Sequence, residues 1–140
     1  MMNSRTAIAA GLLLSAVLGL TINLTQGTTS MGDEAAGPML VHNVYFTLKD
    51  GTPENTQKLT DACFKYLKNH PGVVFFAAGP LVQELDRPVN VRDFHVGLHV
   101  IFKSKKDHDT YQTAPDHLKF IEENKPTWDK VRVFDTYSKS

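Results

Sequence analysis

Residues 91–120 read VRDFHVGLHVIFKSKKDHDTYQTAPDHLKF, and the fold turns on how this stretch divides. Phe94, Val96, Leu98, Val100 and Phe102 alternate with Asp93, His95, Gly97, His99 and Ile101. That is the period of a strand with one apolar face, and it predicts a strand over 91–103. Ser104, followed three residues later by Asp107, then opens a helix with a loose capping-box pattern. Pro115 ends any continuous helix, because it lacks an amide hydrogen and its ring meets the carbonyl of the preceding turn. In the first turn of a new helix it is tolerated. The stretch is therefore strand, helix to about Thr113, then a second short helix from about Asp116 to Asn124. Leu118, Phe120 and Ile121 are the apolar residues of that second helix.

Upstream, Leu40–Leu48 (LVHNVYFTL) alternates in the same way, with Leu40, His42, Val44, Phe46 and Leu48 on one face. Thr52-Pro53-Glu54 starts a helix with a capping hydroxyl, a first-turn proline and a first-turn acid. Leu59, Ala62, Cys63, Tyr66 and Leu67 form its apolar stripe. Cys63 on that stripe reads as a small core residue rather than a nucleophile. Val73–Val82 is a second strand, which Gly79-Pro80 must bend, bulge or leave at a sheet edge. Residues 84–90 form a loop, and Val131–Tyr137 is the last strand. Strand, helix, strand, strand, broken helix, strand is the order of an α+β ferredoxin-like sandwich, a four-stranded antiparallel sheet with helices on one face. Val41, Tyr45 and Ile101 fall on the opposite, uncovered face. An apolar bare face is best hidden against a second copy, which predicts a homodimer.

The 140 residues suit one domain, here 39–140. Fifteen Lys and Arg balance fifteen Asp and Glu, so no basic field invites nucleic acid. A single cysteine excludes an internal disulfide and a thiolate zinc finger. Residues 1–30 differ from the rest. Arg5 is the only charge before Asp33, and Ala7–Ile22 is an unbroken run of apolar or small residues. A membrane span needs about 20 apolar residues. The run therefore reads as a signal peptide or, if uncleaved, a signal anchor, and the domain is expected to be exported, periplasmic or extracellular. Only an uncleaved segment would bring the membrane in as a partner. Residues 31–38 read as a linker.

Three segments carry a resemblance to a known family: MLVHNVYFTLKD, DFHVGLHVIFKSKKDHDTYQTAPDHLKF and VRVFDTYS. They resemble the stress-responsive dimeric α/β-barrel (Dabb) domain, over essentially all of 39–138. The matching elements are His42, Phe102-Lys103-Ser104, Tyr111, Pro115 with His117, and Phe134-Asp135-Thr136-Tyr137. The resemblance implies ferredoxin-like subunits paired sheet to sheet into a barrel, with no cofactor. It implies binding of a small hydrophobic or aromatic molecule, or a stress-protective role. Some members resemble cofactor-independent cyclases or lyases that use histidine and tyrosine, and quinol-type monooxygenases share the fold. Ala114 stands where many members carry a second histidine. Val96 stands where the cyclase-like branch has one.

The residues suggest a site of their own. His42 lies on the apolar face that the helices cover. His117 lies in the first turn of the helix after Pro115, where the positive end of the backbone dipole lowers an imidazole pKa. His42, His117 and Tyr111 are the candidate catalytic residues: two bases and a phenol that donates a proton or steadies an oxyanion. Phe46, Phe94, Val96, Leu118 and Phe120 are the candidate ligand-pocket walls. The same side chains also suit a purely structural role, each ring nitrogen bonded to a backbone carbonyl. His95 and His99 tempt a metal reading. Four residues of strand, however, span roughly 13 Å, and one ion with bonds of about 2 Å cannot meet both. No metal is therefore assigned. These two histidines are expected to line the dimer face around Gly97, where acid would weaken association.

Overall fold

The computed structural model describes residues 37–139. The segment read as a signal or anchor, and all but the last two residues of the linker, lie outside the described residues. The elements are β1 (Met39–Leu48), α1 (Pro53–Leu67), β2 (Val73–Pro80), β3 (Val96–Phe102), α2 (Lys105–Gln112), α3 (Pro115–Asn124), a 3-10 turn (Lys125–Thr127) and β4 (Trp128–Ser138). The strands form one antiparallel sheet in the order β2-β3-β1-β4. This is the ferredoxin-like sandwich expected from the alternation.

Local chemistry sets the elements. The Thr52 hydroxyl accepts from Asn55 N at 3.3 Å and caps α1. The Ser104 hydroxyl accepts from Asp107 N at 3.2 Å and caps α2. Pro115 occupies the first turn of α3. Thr113 N and Ala114 N bond back to Thr110 O and Tyr111 O, which closes α2 before the new axis begins. Tyr66 donates its hydroxyl hydrogen to Glu123 Oε2 at 2.6 Å and ties α1 to α3.

The core is the helix-facing set of β1 and β3 against α1, Tyr111 and Phe120. Cys63 is fully buried in it, and burial pushes its thiol up to about 12, so it is chemically quiet. The opposite face carries Val41, Asn43, Tyr45, His99, Ile101, Phe75 and Phe134, with the last two 51% and 52% exposed.

Several strand bounds differ from the sequence reading, and β4 begins at Trp128 rather than Val131. β3 begins at Val96 rather than 91, because its ladder with β1 ends at the Phe46–Val96 pair. β2 ends at Pro80, at the sheet edge, with an irregularity between Val73 and Phe75.

Gly72 joins α1 to β2 with φ +82. A side chain there would be strained and would collide with Asp107 at the start of α2. Gly72→Ala is expected to cost about 1–3 kcal/mol, measured by urea unfolding. An unchanged midpoint would contradict this account of the turn.

Candidate functional site

A cavity of about 170 Å³ lies between the helix-facing side of β1 and β4 and the end of α2 with α3. Its polar wall is His42, Tyr111, Gln112 and His117, and Phe46, Phe120 and Trp128 are among its apolar walls. The strand places His42, the last turn of α2 places Tyr111, and the break at Pro115 turns His117 toward Tyr111. The Tyr111 ring lies 4.4 Å from that of His117 and 6.2 Å from that of His42, centroid to centroid. The structure thus brings together the three residues singled out from the sequence.

His42 is 4% exposed, and its Nδ1 lies 2.6 Å from Asp135 Oδ1 on β4, its cross-strand partner. A carboxylate only accepts, so Nδ1–H donates and Nε2 keeps its lone pair. Burial holds the His42 pKa below its ordinary value; the Asp135 carboxylate pulls the other way without overcoming it. His117 donates Nδ1–H to the Gln112 carbonyl at 3.1 Å, which again leaves Nε2 free. Its pKa is also lowered, by burial first and then by His42, His70 and His108 nearby. Tyr111 is 1% exposed, and burial pushes its pKa up, so it stays a phenol. The chemistry on offer is two neutral imidazoles and one protonated hydroxyl. Trp128 adds an indole N–H that is buried and has no acceptor.

The remaining sequence candidates separate. Phe46 and Phe120 line the cavity. Val96 is buried in the core, and Leu118 is 53% exposed on the outer side of α3; neither lines it. Phe94 is on the other side of the sheet. Its ring packs 4.8 Å from Tyr45, beside a depression of about 430 Å³ that also involves Arg132 and Phe134. His99 lies on the bare face and donates to Asn43 Oδ1 at 2.7 Å. His95 has a different place: its Nδ1 accepts from Leu48 N at 2.9 Å, where the β1–β4 register shifts. It repairs that irregularity, and a side chain at Gly51 would strike its ring.

Sequence reasoning did not single out Asp135 or His108 for the site. His108 sits one helical turn before Tyr111, and its ring lies 5.1 Å from that of His42. Among the described residues, His42, His108 and Asp135 form a group whose potential metal-ligating atoms lie within 4.8 Å of one another.

The neutral histidines carry a pH signature. His42, His99 and His117 all have folded-state pKa values below the ordinary 6.5. Their stabilising contribution is complete above about pH 6.5 and is lost as the pH falls through the lower folded-state values, because the unfolded chain takes up protons first. The thermal midpoint is therefore expected to drop from pH 7.5 to pH 5. A midpoint that rises or holds over that interval would contradict the burial of neutral imidazoles.

Comparison with known proteins bears on the same architecture. The family model described as Stress responsive A/B Barrel Domain matches residues 40–138. No curated protein matches the chain. Among solved structures, a Dabb family protein with a ferredoxin-like fold from Mesorhizobium loti is 23% identical, with a TM-score of 0.61 over 74% of this chain and 99% of that one. A dimeric ferredoxin-like protein of unknown function from Thermobifida fusca is 17% identical, with a TM-score of 0.60 over 73% and 92%. The hydroxynitrile lyase of Passiflora edulis is 18% identical, with a TM-score of 0.60 over 74% and 95%. At these identities the likeness is one of fold.

Proposed function

The chain belongs to the stress responsive A/B barrel domain family, and from that premise we propose that its cavity binds a small apolar molecule of one-ring size that carries a hydroxyl or carbonyl oxygen. The observation that carries this reading is the cavity itself, about 170 Å³. An enclosed cavity of about 150 Å³ accepts benzene; this one is of that size and open on one side, and drug-sized ligands occupy roughly 300 Å³ or more. The oxygen follows from the wall. The Tyr111 phenol is a donor, and the Nε2 atoms of His42 and His117 are acceptors for a ligand hydroxyl. The binding unit is a homodimer, supported by the apolar bare face and by relatives described as dimeric.

Trp128 is the single tryptophan and lines the cavity, so its fluorescence reports occupancy. Benzyl alcohol is expected to shift it saturably, whereas decahydro-2-naphthol, a two-ring alcohol, is expected to leave it unchanged. Equal responses to both, or none to either, would remove the one-ring reading.

The His42–Asp135 pair favours a second reading, proton-transfer turnover. A buried carboxylate-oriented imidazole with a free Nε2 is a general base, and one relative of this fold is a hydroxynitrile lyase. On a one-ring cyanohydrin, His42 would take the hydroxyl proton. The O–H electrons would form the carbonyl, the carbon–carbon bond would break, and cyanide would leave with its electron pair. The Tyr111 phenol would steady the oxygen or supply the proton that the cyanide takes. Benzaldehyde cyanohydrin tests this by release of cyanide above the rate with the His42→Phe variant. Equal rates would leave binding alone.

A further inference from the structure

His108 has no part in that chemistry, yet it is held firmly beside His42. Its side chain is only 13% exposed, the Gln112 amide donates to its Nε2 at 2.9 Å, and its Nδ1 faces the Asp109 carboxylate at 3.4 Å. No hydrogen bond joins it to His42, although the two rings sit 5.1 Å apart. Asp135 completes the group from β4. Two imidazoles and one carboxylate from three separate elements, around a point at the cavity wall, make the donor set that binds borderline-soft divalent ions.

We propose that His42, His108 and Asp135 form a binding site for a first-row divalent transition ion of the zinc class, with the fourth position left to water.

The geometry is within reach of such an ion. Tetrahedral coordination with bonds of about 2.0–2.1 Å places donors roughly 3.4 Å apart. Potential ligand atoms of the three residues lie within 4.8 Å of one another, and His42 Nδ1 and Asp135 Oδ1 are 2.6 Å apart. Binding needs that pair to open slightly, the Gln112 amide to release His108 Nε2, and His108 to move inward, which rotation about side-chain bonds supplies. The Asp109 carboxylate at the far nitrogen of His108 is the outer partner that orients a metal-bound imidazole. The carboxylate neutralises part of the ion's charge, and His42 holds the buried end of the site. Ligation would take the proton now shared by His42 and Asp135, so metal binding and the free-base state of His42 exclude one another. The site is separate from any requirement that the cavity turn over a substrate.

The test uses the full chain, stripped with a chelator and titrated with cobalt(II) at pH 7.5. Uptake of one ion per chain with the visible absorption of four-coordinate cobalt, displaced by zinc, is expected. Removing an outer partner of a metal ligand costs about 10–100-fold in affinity; His108→Ala removes a ligand itself and is expected to cost at least the upper end of that range. Asp135→Asn should weaken binding in the same direction from the exposed end of the site. His99→Ala, which removes an imidazole from the other face of the sheet, should bind as the parent does. Absence of stoichiometric cobalt uptake by the parent chain would overturn the proposal without reference to any variant. So would uptake that His108→Ala and Asp135→Asn leave intact, or that His99→Ala abolishes.

Discussion

Asp135→Asn is expected, on the proton-transfer reading proposed above, to lower cleavage of benzaldehyde cyanohydrin by up to about 10⁴-fold, while one-ring alcohols still bind the cavity. The cause is a tautomer. Asp135 Oδ1 lies 2.6 Å from His42 Nδ1, and a carboxylate there requires the proton on Nδ1. An asparagine can turn its amide nitrogen to Nδ1 and donate. The imidazole proton would then move to Nε2, the atom that must accept the substrate proton. The apolar walls of the cavity, Phe46, Phe120 and Trp128, do not touch this exchange in their chemistry, so affinity and rate should separate. Steady-state kinetics read the rate, and Trp128 fluorescence reads the binding. A rate within tenfold of the parent would show that His42 is not the base, and His117, bonded to the Gln112 carbonyl, would be the remaining imidazole to test.

Ile101→Asp is expected to yield monomers if the bare faces of two copies pair as proposed above. Ile101 pairs with Val41 and Phe75 on the uncovered face of the sheet, where Phe75 and Phe134 remain half-exposed in the single subunit. In a two-fold interface the substitution appears twice. Each unpaired carboxylate taken into an apolar contact costs several kcal/mol, and about 1.4 kcal/mol is tenfold in affinity. The dissociation constant should therefore rise on the order of 10³-fold or more. Because Ile101 is only half-buried within the subunit, the isolated fold should survive. Sedimentation velocity together with circular dichroism separates the outcomes: a folded monomer is expected, and an intact dimer would place the interface elsewhere.

The architecture was legible because its periods are clean. Alternation in 40–48 and 94–102 and the stop at Pro115 gave the element order, and that order leaves few topologies. The face of His42 and the grouping of His42, Tyr111 and His117 followed from the same periods. Asp135 was a different matter. It lies 93 residues from His42 in the chain, and only the β1–β4 register makes them partners; alternation gives a face, not a register. His108 was within reach, since three residues separate it from Tyr111 and that spacing shares a helix face, but α2 has only eight residues and few apolar ones to fix its phase.

The misplaced walls have equally local causes. Alternation continued from Phe102 back to Phe94, but the ladder with β1 stops at Val96, and the chain beyond it swings Phe94 over Tyr45. Helix α3 offers Leu118, Phe120 and Ile121 within ten residues, and two phases of that helix bury apolar side chains. The phase adopted turns His117 and Phe120 inward and leaves Leu118 outside. His95 keeps the parity of His99 but lies past the end of the strand, where the unpaired amide of Leu48 captures it.

The most direct measurement is the tautomer and charge of the two cavity histidines by nitrogen-15 NMR of ring-labelled protein at pH 7, assigned with His42→Phe and His117→Phe. The structure predicts neutral rings at both positions with the proton on Nδ1 and a free Nε2. A charged ring, or a proton on Nε2 at either residue, would contradict the account of the cavity as a pair of neutral bases facing a phenol.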